Sequence, residues 1–201
     1  MLLLQGKTAA FILLNAYHPF ELNVFFINYT FMGDGIFAIC FIALLFYCKK
    51  KQQGYAMLFS FLFSGITVQL IKNWVSAPRP RLFFEAGQYL HFIDGVSLAN
   101  HSSFPSGHTA TAFAIATVMV LFMKDKSWQL PVLISAILVG YSRIYLAQHF
   151  LADVMIGALI GCGSGMAAVY LAQNLKKVGL SIKKMHDIAP LSTIPSASQP
   201  V

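Results

Sequence analysis

Apolar residues in this chain come in long runs, not in the alternating or one-sided patterns of a water-exposed fold. Five stretches stand out: Leu22 to Cys48, Tyr55 to Val75, Thr109 to Met123, Leu130 to Ile144 and Phe150 to Leu175. Crossing a hydrocarbon core as a helix takes roughly 20 mostly apolar residues, and a helix satisfies its own backbone hydrogen bonds where no water can. The pattern predicts an all-α, integral-membrane helical bundle of about five transmembrane helices. The third and fourth stretches reach spanning length only by taking in neighbouring Ser, Gly and Trp residues. A shorter run, Met1 to Asn15, is interrupted by Gln5, Gly6 and Lys7 and lacks a small-residue cleavage site behind a charged start. It reads as an N-terminal interfacial helix, not a signal peptide.

The intervals between the runs set the organisation. Ser76 to Ser106 contains Pro78, Pro80, Gly87, Gly95 and Pro105, so it is expected to be a loop outside the bundle, with a short helix near Leu82 to Leu90. The segment Ser181 to Val201 is rich in Ser, Pro and Lys without helical periodicity and reads as disordered. The division expected is an interfacial segment (1–21), one membrane domain (22–175) and a flexible cytoplasmic tail (176–201). Gly157, Gly161 and Gly165 recur on one face of the last run, which suits close helix packing. No strand precedes them, as a nucleotide-binding glycine motif would need.

Composition supports the membrane reading: the chain is 57% hydrophobic and 10% charged, with a formal net charge of +7. The basic excess does not point to nucleic acid. Lys49, Lys50, Lys51, Lys124, Lys126, Lys176, Lys177, Lys183 and Lys184 fall between or after apolar runs, where such clusters orient a membrane protein. With the Lys49 to Gly54 turn in the cytoplasm, the Lys124 to Ser127 turn and the tail also lie inside. The Val75 to Thr109 segment and the Arg143 to His149 turn then lie outside. Cys40, Cys48 and Cys162 have no metal-ligand spacing and read as small buried hydrophobes.

Polar groups at membrane depth are costly and call for a partner or a purpose. Three sets are delivered to the outer face. Lys72 closes the second run and is followed by Arg79-Pro80. Pro105-Ser106-Gly107-His108 opens the third, making a helix N-terminus whose free N–H groups and dipole suit an anion. Ser142-Arg143 ends the fourth run and leads to His149 and Asp153, four residues apart and so on one helical face. Three cations can neutralise a phosphoryl group and the charge that grows during its transfer. Asp153, bonded to one ring nitrogen of His149, would fix its tautomer and free the other nitrogen to attack phosphorus. His108, with no such partner nearby in sequence, would protonate the leaving oxygen.

Together, Lys-x6-Arg-Pro, Pro-Ser-Gly-His and Ser-Arg-x5-His-x3-Asp resemble the type 2 phosphatidic acid phosphatase superfamily in order and spacing, over about Leu22 to Leu175. The resemblance implies a phosphohistidine intermediate at His149 and acid catalysis by His108. It also implies phosphate binding by Lys72, Arg79, Ser106, Gly107 and Arg143, with no metal and no cofactor. Many bacterial members look six-spanned, whereas the first run here is short and polar. The function expected is a membrane lipid phosphatase acting from the outer face, in a bacterial inner membrane. Undecaprenyl pyrophosphate is favoured by analogy, ahead of phosphatidylglycerol phosphate, phosphatidic acid or a lipid A phosphate. The rivals are a lipid phosphotransferase and, from another class, a lipid or anion transporter. The vanadium-dependent haloperoxidases share the anion-binding motifs but are soluble.

Other polar residues carry blander readings. His18, His91 and His101 are irregularly spaced and read as solvated or loop-packing histidines. Asn28 and Asp34 read equally as helix caps or as groups shaping the site from beneath, and stay outside the catalytic set. Arg81 and Glu85 could meet a head group or each other. Trp74, Tyr89, Trp128 and Tyr145 read as interfacial anchors.

Overall fold

The computed structural model of the chain describes the backbone of residues 2–84, 93 and 102–188 and the side chains of 6–84, 93 and 102–175. Among the described residues there are helices and no strand. The helices are α1 (Leu2–Leu14), α2 (Phe20–Tyr29), α3 (Gly35–Tyr47), α4 (Lys51–Trp74), α5 (Pro80–Phe83), α6 (Gly107–Phe122), α7 (Gln129–Tyr145) and α8 (Leu151–Ile188).

All five apolar stretches fold as helix, but they are not five equal spans. Among the described residues, only α4 and the Leu151–Leu175 part of α8 are single helices both long and apolar enough to cross a membrane. The first stretch is a broken pair: a 3-10 turn at Thr30–Gly33 and an extended Asp34 separate α2 from α3, which bend by 55° and make a third span only if counted as one. The break is sequence-encoded. Gly33 and Gly35 flank Asp34, whose side chain accepts from the Ile36 N–H at 2.8 Å and so caps α3. Helices α6 and α7 have 16 and 17 residues.

Among the described residues of the long loop a short helix, Pro80–Phe83, starts two residues before the expected Leu82, because Pro80 takes the first helical position; most of the expected Leu82 to Leu90 helix lies outside the described residues. Residues 85–92 and 94–101 of that loop, with Glu85, Tyr89, His91 and His101, lie outside the described residues. At the other end α8 stays helical to Ile188, so the irregular segment does not start at Ser181. Residues 189–201 lie outside the description.

Helix α6 is the hub, packed against α4, α7 and α8. In lipid, the drive for such packing is close contact between surfaces, and α8 supplies it with glycine. A Cβ at Gly157 would stand 2.6 Å from the Ser106 carbonyl oxygen, and one at Gly165 would stand 2.7 Å from Thr117 Cβ. A Cβ at Gly161 would collide with the Ala110 carbonyl. The glycines therefore press α8 onto the α6 backbone. Below them, Ala38, Ile42, Ala56, Met57, Ile115, Val118, Val169 and Ala172 form the main buried cluster.

The helix ends sort by charge. A cavity of about 610 Å³ is lined by Lys49, Lys50, Lys51, Tyr55, Phe122 and Leu175 among others, which brings the start of α4, the end of α6 and residue 175 of α8 together. Lysines gather here, and the three motif-bearing sets lie at the opposite end. There α1 is tied down as well: Asn15 Nδ2 donates to the carbonyls of Ile144 and Tyr145 at 2.9 and 2.8 Å, satisfying the last turn of α7. Phe11 is fully buried against Phe84 and Phe150.

Candidate active site

Ser106 caps α6, its Oγ 2.8 Å from Thr109 Oγ1. Its own N–H donates to the Asp153 carbonyl at 3.0 Å, which locks the start of α6 to the start of α8. Gly107 follows with its amide in the first turn. A Cβ there would make only ordinary contact, 3.8 Å from Val68 Cγ1, so protein packing does not demand the glycine. A bare backbone able to approach a ligand does explain it.

The turn between α7 and α8 places His149. Ala147 takes a left-handed conformation with φ 53°, and the Arg143 carbonyl accepts from the N–H groups of both Gln148 and His149, at 3.0 and 3.1 Å. His149 is 2% exposed. Its Nδ1 lies 3.5 Å from Asp153 Oδ2, a looser contact than a formed hydrogen bond, as is common before substrate binds. Burial, aided by Arg143 and Arg79 and opposed by Asp153, pulls the His149 pKa down to about 4. The imidazole is therefore neutral at pH 7, with a lone pair to offer.

Asp153 is held in turn. Its Oδ2 accepts from the Phe150 N–H at 3.0 Å and from the Ser103 hydroxyl. Ser103 is fully buried, and its N–H donates to the Ala77 carbonyl at 3.0 Å, joining this loop to the one that bears Arg79.

The cations converge on the histidines. Lys72, in the last turn of α4, feels the charges of Arg79, Arg143 and Asp153. Arg79, the residue before α5, is linked through Gln148: Arg79 Nη1 donates to Gln148 Oε1 at 3.4 Å, and Arg143 Nη2 donates to the same oxygen. Burial lowers the proton affinity of Arg79, and Asp153 partly offsets it. Arg143 is buried, its Nη1 donating to Thr30 Oγ1 at 2.6 Å, while its Nε–H has no hydrogen-bond partner. A buried, unsatisfied guanidinium donor in the last turn of α7, close enough to act on His108 at the start of α6, suits a phosphate oxygen. His108 is partly buried in the first turn of α6, with Nε2 3.6 Å from Asp34 Oδ2.

The structure thus brings Lys72, Arg79, Ser106, Gly107, His108, Arg143, His149 and Asp153 to one end of the bundle. Among the described residues no three His, Cys, Asp or Glu side chains converge as a metal ligand set. Sequence reasoning missed Ser103, Gln148 and Thr30, and left Asp34 aside. Ser103 and Gln148 sit between motif positions, where spacing says nothing about them. The signal at Thr30 and Asp34 was present: a polar break inside an otherwise apolar run.

A family model described as the PAP2 superfamily matches residues 53–177. A probable lipid phosphate phosphatase 4 of Arabidopsis thaliana is 30% identical over 61% of this chain, and the chain spans half of that protein's length. The lipid A 1-phosphatase of Rhizobium etli is 28% identical over 81% of this chain and 75% of its own. The crystal structure of Aquifex aeolicus LpxE superposes with a TM-score of 0.73 at 29% identity, covering 82% of this chain and 94% of that one.

Proposed function

Because the chain belongs to the PAP2 superfamily, we propose that it is an integral-membrane lipid phosphatase that works through a phosphohistidine at His149. One observation carries the reading. A neutral imidazole, backed on Nδ1 by a carboxylate, stands beside Arg143, Arg79 and Lys72 at the N-terminus of α6.

In the reaction, His149 Nε2 attacks phosphorus and the bond from phosphorus to the lipid oxygen breaks. The three cations and the α6 amides take up the charge on the equatorial oxygens, and His108 gives a proton to the departing oxygen. Water then attacks the phosphohistidine with His108 as base, and inorganic phosphate leaves. The lysine-rich end belongs in the cytoplasm, which puts the site on the periplasmic or extracellular face.

Among substrates, a lipid A phosphate is supported by the Rhizobium relative, which matches over most of both chains. Undecaprenyl pyrophosphate rests on analogy within the superfamily.

The test is phosphate release by purified protein from a panel of lipid A, phosphatidic acid, phosphatidylglycerol phosphate and undecaprenyl pyrophosphate, run beside His149→Ala. Release from at least one lipid that disappears in the variant is the expected result. Lipid flux without phosphate release would favour a transporter, and loss of free phosphate on adding an acceptor alcohol would favour a phosphotransferase.

A further inference from the structure

The family match begins at residue 53, yet two contacts to the site's side chains come from the broken helix pair before it. Thr30 accepts from Arg143 and Asp34 faces His108. We propose that Asp34 is a positioning residue for proton transfer: its carboxylate holds Nε2 of His108, so that Nδ1 addresses the leaving oxygen and the imidazolium form is supported. The inference rests on the phosphatase reading above.

The geometry is built to place this carboxylate. Gly33 passes directly over α6, where a Cβ would stand 2.6 Å from the His108 carbonyl oxygen and 2.7 Å from Val139 Cγ1. Only a glycine allows that approach. It delivers the next residue to the His108 ring. The two carboxylate oxygens of Asp34 are then divided: Oδ1 accepts from the Ile36 N–H at 2.8 Å, which fixes the side chain, and Oδ2 lies 3.6 Å from His108 Nε2. Among the described residues, the charged and titratable groups that act on His108 are Lys72 from α4, Arg143 from α7, His149 from the α7–α8 turn and Asp34 from the helix break. Asp34 alone of these is acidic. Burial and the two cations work against the imidazolium, and Asp34 is the one group among these that favours it.

The proton count closes. Once the negative charge of the bound phosphate has offset the cations and His108 carries both protons, Nδ1–H passes its proton to the lipid oxygen as the P–O bond breaks, and Nε2–H stays on His108, facing Asp34. The neutral Nδ1 then accepts a proton from the water that attacks the phosphohistidine, which restores the starting form.

The variant that isolates the charge is Asp34→Asn, because Asn caps a helix as well as Asp. The measurement is kcat/KM, which reports phosphoryl transfer to His149 and not the later hydrolysis. It is taken for dioleoyl phosphatidic acid, whose alkoxide needs a proton, and for 4-nitrophenyl phosphate, whose phenolate does not. Asp34→Asn is expected to lower kcat/KM about 10²-fold on the lipid, a share of what a general acid supplies, and less than about 5-fold on the aryl ester. His108→Ala should show the same selectivity, and the double variant should be no slower than His108→Ala alone. Asp34→Ser, which also keeps the cap, repeats the test if the Asn variant melts early. Equal losses on both substrates, or parent-like values on both, overturn the inference while leaving the phosphatase reading intact. A parent protein that releases no phosphate from any lipid overturns both.

Discussion

Asp153→Asn probes the reaction centre with the least change in shape. Asp153 is 3% exposed, and an amide oxygen in place of Oδ2 can still accept from the Phe150 N–H and the Ser103 hydroxyl. What is lost is the charge opposite His149. A full charge at the observed 3.5 Å would interact by about 5 kcal/mol at an effective dielectric of about 20. Phosphoryl transfer puts only part of a positive charge on the imidazole by the transition state, so roughly half of that, about 2 kcal/mol, is at stake. The expected loss in kcat is roughly 30- to 100-fold, with little change in KM because the cations proposed to bind phosphate all remain. Rapid-quench measurement of labelled phosphoenzyme reads the step directly, and thermal melting in detergent checks the fold. A variant within about 3-fold of the parent would refute the coupling between this carboxylate and the nucleophile.

Three further outcomes follow from the same structure. The His149 pKa is lowered from 6.5 to about 4, so histidine-selective ¹⁵N NMR should show this ring neutral through pH 5. Because the unfolded chain takes the proton first, stability is expected to fall as pH drops from about 6.5 towards 4, and a ring titrating at or above 6.5 would contradict the burial argument. Gly161→Ala should cost about 1–3 kcal/mol of stability by overpacking α8 against α6, whereas Gly163→Ala, with nothing within 4 Å, should be neutral or stabilising in the same melts. Activity should persist in excess EDTA and be inhibited competitively by vanadate, and recovery of an EDTA-treated sample only on adding a divalent ion would speak against the histidine mechanism.

What could be read along the chain was whatever repeats locally. Apolar runs located the helices, lysines sorted their ends, and the four-residue step from His149 to Asp153 announced a shared face because helical geometry is fixed. The glycine ladder on α8 was legible for the same reason. Contacts set by tertiary folding were not legible. Nothing in the spacing ties Ser103 to Asp153, 50 residues away, or Thr30 to Arg143, 113 residues away. His108 seemed to lack a partner because its carboxylate arrives from another helix pair. The break in the first apolar run was hidden in the same way: the run is apolar enough for one span, and α2–α3 bends where an Asp can be satisfied by capping its own helix.

The shortness of α6 and α7 is itself an argument about the site. At 1.5 Å per residue, their 16 and 17 residues make about 24–26 Å of helix, against about 36 Å for the 24 residues of α4 and about 30 Å for a hydrocarbon core. Val68 of α4 is the neighbour that Gly107 faces, so the start of α6 lies level with Val68. Lys72 stands one turn, about 6 Å, further out. On the proposed reading, a phosphate at the α6 amides would lie recessed by about one turn relative to Lys72, with Arg79 on the loop beside it and Arg143 tied to Thr30. A lipid whose head group already lies in the interface can enter such a recess sideways while its chains stay in the bilayer. Soluble phosphate esters have no such anchor. On that reading, starting α6 about a turn inside the end of α4 would set the chemistry at a depth suited to lipids.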